Sequence, residues 1–249
     1  MLSSQRKKMI LQILAEEKQV QSTALSQRFA VSEDSIRRDL RELAAEGLLQ
    51  RVHGGALPVS AAIAPFETRK NVQINAKRAI AQKAVALIQP GQVIMIDGGT
   101  TTTEMVKRLP ENLAITVITH SPAIAVALVN HPLIEVILIG GTLYKHSVVA
   151  VGASMIEATR QFNADIFFMG VTGVHKNAGF TTGNYEEACV KRALAARAAE
   201  TVVMASQEKL NAASPFAIGE LSLAGTLVVE HALTGELADV LAKNHVSIV

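Results

Sequence analysis

Val31-Ser32-Glu33-Asp34-Ser35-Ile36-Arg37-Arg38-Asp39-Leu40-Arg41-Glu42-Leu43 reads as a helix that is apolar along one line and cationic elsewhere. Ser32 suits the N-cap, where a hydroxyl accepts from a backbone N–H freed in the first turn. Glu33 and Asp34 follow, where negative charge meets the positive end of the helix dipole. Ile36, Leu40 and Leu43 recur at i, i+4 and i+7, a narrow stripe that must lie on something. At helical spacing Arg38 and Arg41 fall nearly opposite that stripe, with Arg37 on its flank. Gly47 supplies the stop. The helix therefore docks on its own domain by one side and offers guanidinium groups on the other.

A cationic helical face alone is as well explained by solvated charge with i,i+4 pairs. Its neighbours change that balance. Thr23-Ala24-Leu25-Ser26-Gln27-Arg28-Phe29 forms a short amphipathic helix just before it. Leu48-Leu49-Gln50-Arg51-Val52-His53-Gly54-Gly55-Ala56 follows as a strand entering a Gly-Gly turn. Helix, turn, arginine helix and hairpin is the layout of a winged helix-turn-helix. Its second helix enters the major groove of double-stranded DNA, and the hairpin lies along the adjacent backbone.

Val31-Ser32, Ile36-Arg37-Arg38-Asp39-Leu40 and His53-Gly54-Gly55-Ala56 together make the chain similar to the DeoR family of bacterial transcriptional regulators. Where that family usually carries Thr, this chain has Ser35, which keeps the hydroxyl. The resemblance implies operator DNA as a partner, with contacts from Ser32, Ser35, Arg37, Arg38, Arg41, Arg51, His53 and Gly54. It also implies a sugar-phosphate-sensing domain resembling ribose-5-phosphate isomerase.

The 249 residues suffice for two domains or one large one, and 49% hydrophobic with 18% charged residues describes a folded chain. The net charge of +2 is uninformative as a total: residues 1–57 hold nine Lys/Arg against seven Asp/Glu, and the rest balances. One cysteine, Cys189, excludes an internal disulfide and fits a reducing cytoplasm. It reads as a small buried apolar residue. The polar, amphipathic start, without an apolar run, leads to the expectation of no secretory signal. Residues 113–141 are the most apolar, but His120, Pro122, His131, Pro132 and Glu135 interrupt them, so no membrane span is expected. With Trp absent and aromatics at 4%, binding of single strands by base stacking is disfavoured.

In chain order, the first helix covers 4–17, with Ile10, Leu11 and Leu14 inward. Arg6, Lys7 and Lys8 either touch phosphate or are ordinary exposed charges. The second helix covers 22–29, the arginine helix 33–46, and the wing ends near Leu57. These residues, 1–57, make the DNA-binding domain. Residues 58–65, bounded by Pro58 and Pro65, form a linker. Residues 66–249 form an α/β effector-sensing and oligomerisation domain. There, helical runs at 77–88, 102–109, 122–130, 153–162, 185–199 and 235–243 alternate with strand-like runs at 93–96, 115–119, 136–139, 166–169, 201–204 and 227–229. The expected fold is α/β: an N-terminal winged helix-turn-helix joined to a larger α/β sensor with a mainly parallel sheet.

Ligands of open α/β sheets collect at the carboxyl ends of the strands. The most polar strand end is Asp97-Gly98-Gly99-Thr100-Thr101-Thr102-Thr103, whose glycines and hydroxyls suit a phosphate. A glycine turn with a threonine cap reads the same stretch more plainly. It is neither a Walker A loop nor a dinucleotide fingerprint. The resemblance continues through Phe66–Arg69, Lys77, Gly140-Gly141, Gly152, Asp165, Gly170, Gly179, Lys191 and Lys209, nearly the whole chain. It implies an effector site of Asp97, Gly98, Gly99, Thr100, Thr101, Thr102, His120, Gly141, Lys191 and Lys209. Two positions depart from the family: His120 replaces a common Asn, and Ser206 replaces the acid of an Asp-Ser-Ser-Lys pattern. Histidines lack metal-ligand spacing, so neither a metal nor a cofactor is expected.

The leading reading is a cytoplasmic DNA-binding repressor of carbohydrate genes, set by a phosphorylated sugar and assembled as a homodimer or homotetramer. The alternative is an aldose–ketose phosphate isomerase with an accessory DNA-binding domain, drawing on Asp97, Asp165, Glu187 and Lys191. A third reading makes the winged helix a protein–protein adaptor.

Overall fold

The computed structural model describes residues 2–60 and 64–249. The N-terminal part runs α1 (Ser3–Glu17), β1 (Val20–Gln21), α2 (Ser22–Phe29), α3 (Glu33–Ala45), β2 (Gln50–Val52) and β3 (Gly55–Leu57). Helix α3 is the arginine stretch. Ser32 Oγ accepts from the Ser35 N–H at 3.3 Å, and Ile36, Leu40 and Leu43 are buried in one cluster with Ile10, Ile13, Leu14, Val20, Leu25 and Leu49. At its end Gly47 takes φ +73°, while the N–H groups of Gly47 and Leu48 reach the carbonyls of Ala44 and Leu43, each at 3.0 Å. This left-handed closure satisfies carbonyls that the helix end would leave open. Strands β2 and β3 pair antiparallel, Val52 opposite Gly55, around a His53-Gly54 turn. Strand β1 adds to β3; two residues are too few for an alternation to show in sequence.

Arg6 and Lys7 are both paired within the domain. Arg6 is 8% exposed and its Nε donates to Asp39 Oδ2 at 2.5 Å, while Ser3 Oγ donates to Oδ1 at 2.9 Å. Lys7 pairs with Glu42. Both cations fasten α1 to α3, because Asp39 lies on the buried side of α3 beside Ile36, Leu40 and Leu43. Only Lys8 of the three faces outward.

Of the expected linker 58–65, Ala61, Ala62 and Ile63 lie outside the described residues. Val59 forms a bridge with Ala213. The second part continues as α4 (Phe66–Arg69), α5 (Ile74–Val85), β4 (Val93–Ile96), α6 (Thr100–Val106), β5 (Ile115–Thr119), α7 (Pro122–Leu128), β6 (Ile134–Leu138), β7 (Thr142–Tyr144), β8 (Val149–Val151) and α8 (Ala153–Thr159). It ends with β9 (Ala164–Gly170), β10 (Gly173–His175), β11 (Gly179–Thr182), α9 (Tyr185–Ala195), β12 (Ala198–Met204), β13 (Phe216–Gly219), β14 (Thr226–Val228), α10 (Glu236–Lys243) and β15 (Ser247–Ile248).

Seven strands form one sheet, ordered β15-β14-β12-β9-β4-β5-β6, with every neighbouring pair parallel. Both faces are covered. Ile94, Ile96, Val117 and Phe168 share a cluster with Ile80 and Ala84 of α5, Met105 of α6 and Ile124 of α7. Met95, Ile118, Phe167 and Val203 point the other way, packing with Met155 of α8, Leu194 of α9 and Leu241 of α10. This two-sided burial explains the unbroken Val/Ile/Phe runs.

Strands β7 with β8, and β10, β11 and β13, make two small antiparallel sheets beyond the alternation expected. The helix expected over 185–199 stops at Ala195 because the chain turns into β12. Arg197 holds that turn, its Nε donating to the Phe162 carbonyl at 2.8 Å and its carbonyl accepting from the Ala164 N–H at 2.9 Å.

Asp39→Ala leaves the Arg6 guanidinium buried without its counter-charge, so chemical denaturation should show a loss of about 3–5 kcal/mol from the N-terminal part. A loss below about 1 kcal/mol, as for an exposed pair, contradicts this account.

Candidate functional site

From β4 the sheet grows one way through β5 and β6, and from β9 the other way through β12, β14 and β15. The carboxyl ends of adjacent β4 and β9 are therefore the point where strand order reverses, and there the helices diverge and a crevice opens. A cleft lies there, walled by Gly98–Thr102 after β4, by Gly170–Thr172 after β9, and by Thr182, Glu187, Lys191 and Lys209. Arg69 of α4 and Tyr144, His146 and Ser147 of the β7–β8 hairpin complete it. The Phe66 N–H donates to the His146 carbonyl at 2.8 Å, tying α4 to that hairpin.

Asp97 stands beneath the cleft, fully buried. Its Oδ2 accepts from Lys191 Nζ and from the Gly170 N–H at 2.9 Å. Its Oδ1 is 2.9 Å from His120 Nε2, and His120 Nδ1 is 2.8 Å from the Ala150 carbonyl. Burial pushes the Asp97 carboxyl up, but the Lys191 ammonium and His120 overcome it and hold it at about 2. The stability this gives is fully present above the ordinary carboxylate range and is lost as pH falls through about 2. Gly98 must be glycine here: a Cβ would come within 2.1 Å of Val149 Cγ1 and 3.1 Å of Ser121.

The expected effector residues thus divide. Gly98, Gly99, Thr100, Thr101, Thr102, Lys191 and Lys209 line the cleft. Asp97 and His120 do not; they lie behind its wall as a bonded pair. Gly141 is also off the wall, set close to Val151 and Met155 at the β7–β8 hairpin. Lys191 is committed first to Asp97 and the Gly170 carbonyl, at 3.0 Å from the latter. The acid absent at Ser206 is supplied nearby, because Ser206 Oγ donates to Glu208 Oε1 at 2.6 Å.

Arg69 is a cleft cation missing from the expected effector set: Phe66–Arg69 falls within the family resemblance, but nothing in so short a helix shows that its arginine turns to the cleft. Among the described residues its Nε is buried without a hydrogen-bond partner, as is Thr101 Oγ1. Burial lowers the Arg69 guanidinium, with Glu187 acting against it. Burial also pushes the Lys209 ammonium down to about 8; Glu208 opposes this, while Arg69, Lys77 and Lys191 press it lower. Lys77 reaches back to the Arg69 carbonyl at 2.5 Å. Several cations and unsatisfied donors converging in one crevice favour an anion.

On the winged helix, Arg38, Arg41, Arg51 and His53 are exposed. Arg37 is spoken for on its own helix, 2.9 Å from Glu33 and 3.6 Å from Asp34; Arg38, Arg41 and Arg51 make no ion pair among the described residues. Ser32 and Ser35 bond each other at 3.0 Å at the helix start, and Gly54 forms the wing turn with φ +77°. Arg51 and His53 also border a second cleft, shared with His175, Thr181 and Ser214 of the β10–β11–β13 region. Ser214 Oγ is 2.6 Å from the hydroxyl of Thr172, a wall residue of the first cleft.

The comparisons agree on both parts. The DeoR-like helix-turn-helix domain matches residues 6–61, and the DeoR C-terminal sensor domain matches residues 72–231. The HTH-type transcriptional regulator GlpR of Haloferax volcanii is 37% identical over 213 residues, covering 84% of this chain and 83% of that protein. The glycerol-3-phosphate regulon repressor of Escherichia coli K12 is 27% identical over 249 residues, covering 100% of this chain and 99% of that protein. Among solved structures, ribose 5-phosphate isomerase A from Methanocaldococcus jannaschii is similar over 55% of this chain and 54% of that one, at 19% identity and a TM-score of 0.41.

Removing one partner of the Asp97–Lys191 pair strands a buried charge, so Lys191→Ala and Asp97→Asn should each cost about 3–5 kcal/mol. The double variant carrying both Lys191→Ala and Asp97→Asn should cost clearly less than their sum in a denaturation cycle. Strict additivity contradicts the pairing.

Proposed function

The chain belongs to the DeoR family of transcriptional regulators, and from that premise we propose that it represses carbohydrate-metabolism genes and is released from its operator by a phosphorylated sugar. One observation carries the sensing half. At the crevice where the sheet order reverses, Arg69 Nε and Thr101 Oγ1 are buried without partners among the described residues, in a cleft that Lys209 also lines. A phosphate brings acceptor oxygens and negative charge to a cleft so furnished with donors and cations.

The protein is a regulator and not an enzyme, as its family and relatives are. The geometry supports the same reading. Asp97 is locked by Lys191, His120 and Gly170 and is out of reach of a sugar carbon. Asp165 lies at the start of β9, accepting from the Val93 N–H at 2.8 Å, at the end of the sheet opposite the cleft. Of the groups an isomerase reading draws together, Asp165 is thus kept away from the cleft, and Asp97 and Lys191 are bonded to each other beneath it.

On the DNA side, Arg38 and Arg41 project from α3 toward the major groove, with Arg51 and His53 on the wing along the backbone. Symmetric half-sites require paired copies, so the assembly is a homodimer or homotetramer. Val126, Val129, Leu133 and Leu138, exposed at 50–73%, give the sensor an apolar surface around edge strand β6 of the kind such an assembly covers. No helix among the described residues is long and apolar enough to cross a membrane; we place the regulator in the cytoplasm with its DNA.

A duplex selected from a random pool for binding to the chain tests the DNA face. Arg38→Ala or Arg41→Ala should cost about 1–3 kcal/mol at one base pair if it reads a base, or weaken all duplexes alike if it contacts phosphate. Full binding by the folded double variant contradicts the assignment. A thermal-shift screen of sugar phosphates tests the sensing half, since a ligand of the folded state raises the melting temperature. Failure of every sugar phosphate to raise it overturns that half.

The lowered Lys209 adds a pH signature. Below pH about 8 the ammonium is charged and faces the anion; as pH rises through about 8 the charge is lost and binding weakens. Lys209→Met should lower sugar-phosphate affinity about tenfold to a hundredfold and remove that pH dependence. Unchanged wild-type affinity across pH 8 removes Lys209 from the site.

A further inference from the structure

Among the described residues, Glu187 is the one acid on the wall of a cleft otherwise furnished with cations and hydroxyls. It is buried, 7% exposed, in the first turn of α9, where its backbone N–H is capped by Asn184 Oδ1 at 3.1 Å. Its carboxylate makes no hydrogen bond or ion pair among the described residues. Arg69, on the same wall, feels its charge, yet no ion pair joins them. Tyr144 feels it as well, which adds to burial in raising the Tyr144 hydroxyl.

A carboxylate so placed works against an anion-only ligand. At close range in a partly desolvated cleft it repels a phosphate dianion and offsets part of what Arg69 and Lys209 contribute. A buried carboxylate also needs donors, and none of the donors on the wall is bonded to it among the described residues. Both conditions are met by a ligand with its anionic group at the cations and O–H donors at Glu187. Helix-dipole stabilisation by the first-turn acid accounts for a negative charge at this end of α9. It does not account for its burial facing a cleft, since the adjacent Glu186 serves the dipole while exposed.

We propose that Glu187 is a specificity residue of this cleft: its carboxylate accepts hydrogen bonds from the hydroxyls of the effector and discriminates polyhydroxylated sugar phosphates from simple phosphates. This rests on the sugar-phosphate reading and assigns its hydroxyl-reading group. Beside it, Tyr144 and His146 stack at 5.6 Å with 25° between their planes and line the same cleft. They give the C–H face of a sugar an apolar surface while its hydroxyls turn to Glu187.

The test compares wild type with Glu187→Gln in calorimetric titrations of the full chain with fructose 1-phosphate, glucose 6-phosphate, a short alkyl phosphate and inorganic phosphate. The variant should bind its preferred sugar phosphate about tenfold to a hundredfold more weakly. Inorganic and alkyl phosphate should bind it equally well or more tightly, because a repelling charge is gone. A merely structural role would weaken all four together. Parallel losses, or no change for any of them, overturn the proposal. Should Glu187→Gln fail to fold, wild type alone decides: the alkyl phosphate must bind no better than inorganic phosphate and well below the sugar phosphates, and equal binding overturns the assignment. Release of selected duplex by sugar phosphate is read in parallel. If wild type releases DNA while Glu187→Gln shows no selective loss, the Glu187 assignment falls alone. If no sugar phosphate binds wild type, the sensing reading falls with it.

Discussion

The buried carboxylate of Asp97, held by the Lys191 ammonium, the His120 ring and the Gly170 N–H, is the interaction on which the sensor depends. It joins the ends of the two strands flanking the point where sheet order reverses and anchors α9 to them. Placing a full charge where no water reaches is tolerable only because two cationic or donor side chains and a backbone amide converge on it. The same bonds fix the height of the Gly98–Thr102 loop, the position of Gly170 at the opposite wall, and the direction of α9, from which Glu187 faces the cleft. Its walls are therefore rigid parts of the sheet end, as a site that must discriminate between similar ligands requires.

That pairing also changes how the cleft's cations are to be understood. Lys191 is largely satisfied by Asp97 and Gly170, whereas Arg69 Nε has no hydrogen-bond partner among the described residues. Arg69 comes from α4, which directly follows the segment joining the two parts, so an anion drawing on it touches the connection as well as the sensor. A second connection runs through the Thr172–Ser214 hydroxyl pair, which links a wall of the first cleft to the cleft bordered by Arg51 and His53 of the wing. The two walls belong to the same β10–β11–β13 region, which Val59 also joins by its bridge to Ala213.

Much of this was legible before the fold was known, for identifiable reasons. Helix α3 announces itself because cap, dipole and apolar period agree over thirteen residues. The central strands announce themselves because burial on both faces demands continuous apolar runs. Short antiparallel pieces such as Thr142–Tyr144 and Gly173–His175 were not legible, since three residues carry no period and their pairing is set by distant chain. Charged residues were the least legible. Arg6 and Asp39 look like surface residues one by one, and only the packing of α1 on α3 makes them a buried pair. Asp97 and His120 look like cleft residues in a polar loop and prove to be its foundation.

The central claim is that one chain holds two sites, a DNA face and an anion cleft, whose occupancies oppose each other. Linkage then demands reciprocity: if a sugar phosphate weakens duplex binding by some factor, duplex must weaken sugar-phosphate binding by the same factor. The measurement is a pair of titrations under one buffer, duplex binding with and without saturating sugar phosphate, and sugar-phosphate binding with and without saturating duplex. The account predicts equal factors of about fivefold to 150-fold, the usual span of allosteric coupling. Sugar-phosphate affinity that is indifferent to bound duplex would contradict it.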